Sequence, residues 1–167
     1  PIVYGPNAQC GFDCISAKDG QEFPLGDAKI RVIHTPGHTM ESTCFLLIDQ
    51  AGKATSLFSG DTLFIGDVGR PDLAQKVSED LTEDMLAGFL YDSLHNKIMP
   101  LADDITVYPA HGAGSAGGKN MSKERFDTLG SDNAYKAAVN GKVSADDFIQ
   151  KFVISGKKAD IDKMVSH

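Results

Sequence analysis

Three short segments of this chain place metal-binding side chains beside Pro or Gly: His34-Thr35-Pro36-Gly37-His38-Thr39, Ser59-Gly60-Asp61-Thr62 and Pro109-Ala110-His111-Gly112. Each ends or interrupts a run of β-forming residues, so each candidate ligand stands where a strand gives way to a loop, the usual seat of chemistry. Imidazole together with carboxylate suits zinc or non-haem iron. Pro fixes the loop, and Gly lets another backbone or a substrate come close. One such segment alone reads as an ordinary loop residue. Three in one chain point to a metal site.

The elements that must hold them are short. Ile30 to Ile33 and Thr43 to Ile48 are β-rich runs, and Gln50-Ala51-Gly52-Lys53 reads as a hairpin leading into Thr55 to Phe58. The pattern predicts a β-meander. A Gly- and Asp-rich loop spans Gly60 to Asp72. Thr82 then predicts a helix N-cap, with Glu83 and Asp84 in the first turn where the helix dipole favours them. Met85, Leu86, Phe89, Leu90 and Leu94 recur at three- and four-residue spacing, which predicts one buried face. Ile105 to Tyr108 is a further strand, stopped by Pro109 and followed by the Gly-rich loop His111 to Gly118. Beyond it, Ser122 and Ser144 are N-cap candidates, and Phe148, Ile149, Phe152 and Val153 make an apolar stripe, so residues 131–167 are expected to be C-terminal helices. Strands joined by hairpins and alternating with helices indicate an α+β or layered α/β domain.

A length of 167 residues with 41% apolar side chains fits a single domain, 1–167, with enough chain for a core. A net charge of −7 without a block of Lys and Arg argues against nucleic acid or a membrane surface as partner and favours a small molecule. The apolar runs fall far short of the roughly 20 residues that cross a bilayer. Cys10, Cys14 and Cys44 are an odd, sparse set that fits a reducing compartment, so a cytoplasmic location is expected. The chain opens at Pro1 on Ile2-Val3-Tyr4, which reads as a cut or processed piece.

Thr35-Pro36-Gly37-His38-Thr39, then Ser59-Gly60-Asp61-Thr62-Leu63-Phe64 with Asp61 23 positions after His38, then His111-Gly112 with His111 50 positions after Asp61, resembles the metallo-β-lactamase superfamily. Residues Gly60 to Asp72 and Tyr108 to Ser115 resemble its persulfide dioxygenase branch, including forms fused to a rhodanese module. The likeness covers residues 1 to 130. It implies an αββα sandwich, of which this chain holds the C-terminal portion.

In that branch the resemblance implies one Fe(2+) held by two His and one Asp, leaving positions for dioxygen and the persulfide sulfur. His38 and Asp61 stand at two of these positions. His111 matches the superfamily's second-metal histidine and is expected near the iron without binding it. Arg70 matches an arginine that grips the glutathione carboxylate, and Thr39 is a weaker substrate-side candidate. Two departures stand out. No His-x-His-x-Asp-His motif occurs in these residues, so the remaining ligand is expected outside them; and Gly117-Gly118-Lys119 stands where Cys-Gly-Lys is usual, so no thiol chemistry is expected there.

Other residues read as structural. His34 and His38 have helical ligand spacing, but Pro36 between them opposes a helix, and His34 is expected to hydrogen-bond near the site. His95 suits a helix C-terminus, and His167 is terminal. Cys10 and Cys14 are expected to be incidental thiols. Asp67 and Asp72 flank Arg70 and are expected to pair with it or cap a turn.

The leading expectation is a glutathione-persulfide dioxygenase using dioxygen and glutathione persulfide. The alternative is a Zn(2+) thioester hydrolase of the hydroxyacylglutathione hydrolase (glyoxalase II) type, in which Asp61 bridges two metals and His111 is a true ligand. A third reading is an inactive fragment or interaction module, whose bared apolar sheet face would drive self-association into a homo-oligomer.

Overall fold

The computed structural model describes residues 1–73, 80–112 and 123–131. The expected helices of 132–167 with the cap Ser144, Ser122 itself, the Gly114 to Lys119 loop and His167 lie outside these; the helix expected to follow Ser122 is not formed at 123–131, where Asp127–Thr128 pairs as a strand instead. At the start, β1 (Val3–Tyr4) pairs in parallel with β2 (Ile15–Ser16). Between them Cys10 and Cys14 form a disulfide. This corrects the expectation of incidental thiols: the turn between β1 and β2 brings the two sulfurs together. Cys44 is the free cysteine and is buried.

The expected meander forms the body of the fold. β3 (Glu22–Leu25), β4 (Ala28–His34), β5 (Thr43–Ile48) and β6 (Ala54–Gly60) pair antiparallel in succession. The β5–β6 hairpin closes on Asp49, whose Oδ1 accepts from the amides of Ala51 and Lys53, both at 2.9 Å, while Gly52 takes the left-handed conformation (φ +81°) that the turn needs. Next come β7 (Leu63–Phe64) and β8 (Asp67–Val68), a small antiparallel pair, and a 3₁₀ turn at Pro71–Leu73.

Helix α1 (Glu83–Ser93) starts as expected, with the Thr82 hydroxyl accepting from Met85 N at 3.2 Å, and runs on into a π-turn at Leu94–Ile98. Its buried face is Leu86, Ala87, Leu90 and Ser93; Met85 is 46% exposed, against expectation. The stripe is centred on Leu86 and Leu90, one helical turn apart, and leaves Met85 at its edge. The chain then returns as β9 (Thr106–Pro109), parallel to β6, and β10 (Asp127–Thr128) closes the edge. The six-stranded sheet has the order β10-β9-β6-β5-β4-β3.

Alternation along β5 decides where the core sits. Cys44, Leu46 and Ile48 are buried, and they join Leu57, Val107, Leu90, Leu94 and Ile98 in one apolar cluster between sheet and helix. Phe58 and Tyr108, register partners, therefore point to the other face, where their rings stack at 5.6 Å and Tyr108 meets Phe126 at 5.8 Å. The architecture is α+β, as expected. Among the described residues no helix is long and apolar enough to cross a membrane.

Candidate metal centre

His38 sits in the loop between β4 and β5. Thr35 N donates to Ser42 O (2.9 Å) and Gly37 N to Thr39 O (2.9 Å), which closes the loop on itself. Helix α1 and its π-turn hold this loop from below. The Ser93 hydroxyl donates to Pro36 O at 2.8 Å, and Lys97 Nζ donates to His34 O at 2.6 Å and to Asp19 Oδ2 at 2.7 Å. Asp19 Oδ1 in turn accepts from His34 N. Burial works against the charge on Asp19, but the hydrogen bonds from Lys97 and the His34 amide outweigh it and hold the carboxyl below its usual range. Gly37 has a φ of +148°, and a Cβ there would lie 2.4 Å from Leu90 Cβ, so only glycine lets the helix approach this closely.

Asp61 follows directly on β6. Thr62 N donates to Ser59 O (3.0 Å), and the Ser59 hydroxyl donates to Leu63 O (2.6 Å), turning the carboxylate out over the sheet edge. Beneath, Thr62 Oγ1 and Thr35 Oγ1 share a 2.8 Å hydrogen bond, with Cys44 Sγ 3.4 Å from Thr35. Burial raises the Cys44 thiol above its usual value, countered in part by the two threonine hydroxyls. Gly69 wedges between the two loops: a Cβ there would fall 1.9 Å from Asp61 O and 3.0 Å from His38 Cβ.

His111 arrives through topology. Because β6 and β9 run parallel, Gly60 and Pro109 stand opposite each other, Ala110 N donates to Gly60 O (3.1 Å), and His111 leaves the sheet at the same edge as Asp61. The Phe64 ring packs on its imidazole with centroids 4.6 Å apart.

The three side chains meet. His38 Nε2 lies 3.4 Å from Asp61 Oδ2, and His111 Nε2 lies 3.2 Å from Asp61 Oδ1. His38 Nδ1 is 3.0 Å from Arg70 O, which can only accept, so Nδ1 carries the proton and the lone pair of a neutral ring points from Nε2 toward the carboxylate. Two electron-rich atoms facing each other call for a cation between them. Asp61 Oδ1, shielded from solvent, has no hydrogen-bond partner among the described residues. Two donors of one metal, each about 2.1 Å from it, stand about 3 to 3.4 Å apart, which is the spacing found here. The donor set therefore fits zinc or iron, although among the described residues no three His, Cys, Asp or Glu side chains form a ready-made cage.

The remaining expected residues are placed as follows. The Arg70 guanidinium is paired with Asp72, through Nε at 3.0 Å and a second, shorter bond, so Asp72 takes the pairing role expected of it. Asp67 Oδ1 accepts from the Val68 amide at 2.9 Å. The hydroxyl of Thr39 lies 3.2 Å from that of Ser42, inside the loop. His34 bonds Met40 O at 2.8 Å, the structural role expected of it, and His95 stacks on Tyr91 with its Nδ1 3.0 Å from Tyr91 O. Sequence reasoning did not single out Ser93, Lys97, Thr62 or the wedge at Gly69. Thr35 and Thr62 were within reach, since each is a hydroxyl-bearing residue beside a candidate ligand.

No family model matches the sequence. The chain is 42% identical over 97 residues to a hydroxyacylglutathione hydrolase of Francisella tularensis subsp. novicida, covering 58% of this chain and 33% of that protein. Its structure is similar to a metallo-beta-lactamase from Staphylococcus aureus, with a TM-score of 0.69, 34% identity, and coverage of 84% of this chain and 39% of the other. It is similar also to ETHE1 from Myxococcus xanthus, with a TM-score of 0.65, 26% identity, and coverage of 90% and 56%. The chain spans well under half the length of the curated relatives it matches, 38% and 33% for two of them. In sequence and in fold, the chain is thus similar to part of a metallo-β-lactamase superfamily protein.

Proposed function

We propose that this chain carries part of the active site of a glutathione-persulfide dioxygenase, with His38 and Asp61 as two donors to a single Fe(2+). The observation that carries the reading is the facing pair His38 Nε2 and Asp61 Oδ2 at 3.4 Å, with the His38 ring oriented by Arg70 O. A non-haem iron at such a site supplies the redox chemistry with dioxygen. The reaction oxidises the outer sulfur of the persulfide to sulfite, consuming dioxygen and water and releasing thiol and protons. This chain's part is to orient: Thr35 and Thr62 lock the two ligand loops together, and Ser93 holds Pro36. The run Gly66-Asp67-Val68-Gly69-Arg70-Pro71-Asp72 and the likeness to ETHE1, a persulfide dioxygenase, support this branch. Metal analysis joined to oxygen uptake with glutathione persulfide tests it. About one iron per chain is expected, with uptake lost in His38→Ala and Asp61→Ala; an iron-loaded protein that consumes no oxygen sinks the reading.

A second reading has its own support. Asp61 turns one oxygen to His38 and the other to His111, the arrangement a carboxylate bridging two zinc ions would take. The likeness to a hydroxyacylglutathione hydrolase agrees with it. Two zincs per chain and thioester hydrolysis sensitive to His111→Ala would decide for it.

A further inference from the structure

Beside the candidate metal centre, a cleft of about 500 Å³ is lined by Pro109, His111, Gly112, Lys123 and Arg125. Lys123 and Arg125 differ from most of the described cations around the fold. Lys29 and Arg31 pair with Glu22, Lys53 with Asp104, Lys97 with Asp19, and Arg70 with Asp72. Lys123 and Arg125 are exposed and make no ion pair among the described residues, even with Glu124 between them in sequence. In a chain of net charge −7, two open cations on the wall of one cleft form a local positive site.

We infer that Lys123 and Arg125 recognise the anionic end of the substrate, taking a carboxylate of a low-molecular thiol derivative while its sulfur reaches toward His38, Asp61 and His111. The inference rests on the functional reading above and names its substrate-recognition residues. Two observations carry it. The cleft is continuous with the centre, because His111 lines the cleft and also lies 3.2 Å from Asp61. The arginine that the sequence offers for this task, Arg70, has its guanidinium on Asp72 and its carbonyl on His38, so its fork is committed to shaping the ligand loop. An open guanidinium at Arg125 can meet a carboxylate with two parallel bonds, and Lys123 adds a point charge.

Binding tests this without needing turnover. Calorimetry on the full chain would compare S-methylglutathione with its diethyl ester. The acid is expected to bind about 10- to 100-fold more tightly than the ester, as hydrogen bonds to charged groups allow. Lys123→Gln with Arg125→Gln removes that preference and leaves the melting temperature and metal content unchanged. The inference is overturned if the wild type binds acid and ester alike or binds neither, or if the preference survives the double variant. It is also overturned if Arg70→Gln, folded by circular dichroism, loses the preference instead. Displacement by inorganic phosphate rather than by acetate at matched ionic strength overturns the carboxylate class. An acid preference that depends on Lys123 and Arg125 in a protein without oxygen uptake would sink the dioxygenase reading alone.

Discussion

The hydroxyls of Thr35 and Thr62 meet 2.8 Å apart beneath the candidate metal centre, both fully buried, one on the loop of His38 and the other next to Asp61. Removing one partner from a buried hydrogen bond strands the other, at a cost of about 1 to 3 kcal/mol. Thr35→Val and Thr62→Val keep the shape and are each expected to lower the urea midpoint accordingly. The double variant is expected to cost less than the sum of the two, since no orphaned hydroxyl remains. Equal additivity in that cycle would show that the bond is not what couples the loops.

Gly69 should tolerate no side chain. A Cβ would land 1.9 Å from Asp61 O, which is backbone and cannot swing away. Gly69→Ala is expected to cost about 1 to 3 kcal/mol through forced backbone shifts and to weaken zinc or iron binding at least 10-fold, the scale seen when support around a ligand is lost. Gly112→Ala is the control, because a Cβ there meets nothing within 4 Å among the described residues. Equal metal affinity in the two variants would remove Gly69 from the account.

Asp19 sets a pH dependence. Its carboxyl is held below 3.8 in the fold by Lys97 and the His34 amide, against the effect of burial. A folded value below the unfolded one means that the stabilisation is fully present above 3.8 and fades as pH falls through the folded value. Carboxyl NMR is expected to show Asp19 titrating below 3.8 in the wild type and moving upward in Lys97→Met. An unmoved Asp19 would mean that Lys97 does not hold it.

The aromatic file on the sheet face away from α1 bears on self-association. Phe58, Tyr108 and Phe126 are 42%, 39% and 58% exposed and touch in series. Sedimentation velocity is expected to show concentration-dependent association that falls in Phe58→Ser with Phe126→Ser, as exposed apolar patches require a cover. Unchanged sedimentation in that variant would acquit the file.

The parts legible in the sequence were those set by local chemistry. The run Thr43 to Ile48 forms the strand its β-rich residues predict, Thr82 caps its helix, and Gly52 turns its hairpin. His38, Asp61 and His111 stood out because each sits just past β-forming residues. What the sequence hid depends on distance along the chain. Ser93 reaches Pro36 across 57 residues and Lys97 reaches His34 across 63, contacts that only the packing of α1 on the sheet creates. The Cys10–Cys14 bond depends on how the chain turns between β1 and β2, which spacing alone does not fix. The Arg70–Asp72 pair, by contrast, was legible, since the two stand two residues apart in one loop.

The parallel pairing of β6 and β9 separates two jobs that one chain must perform. Backbone bonds and inward side chains such as Leu57 and Val107 keep the strands in register, while Asp61 and His111 hang beyond the last rungs. Exchanging the hanging groups leaves the ladder untouched. A fold arranged in this way can exchange the side chains at one rim while the rungs behind them stay paired.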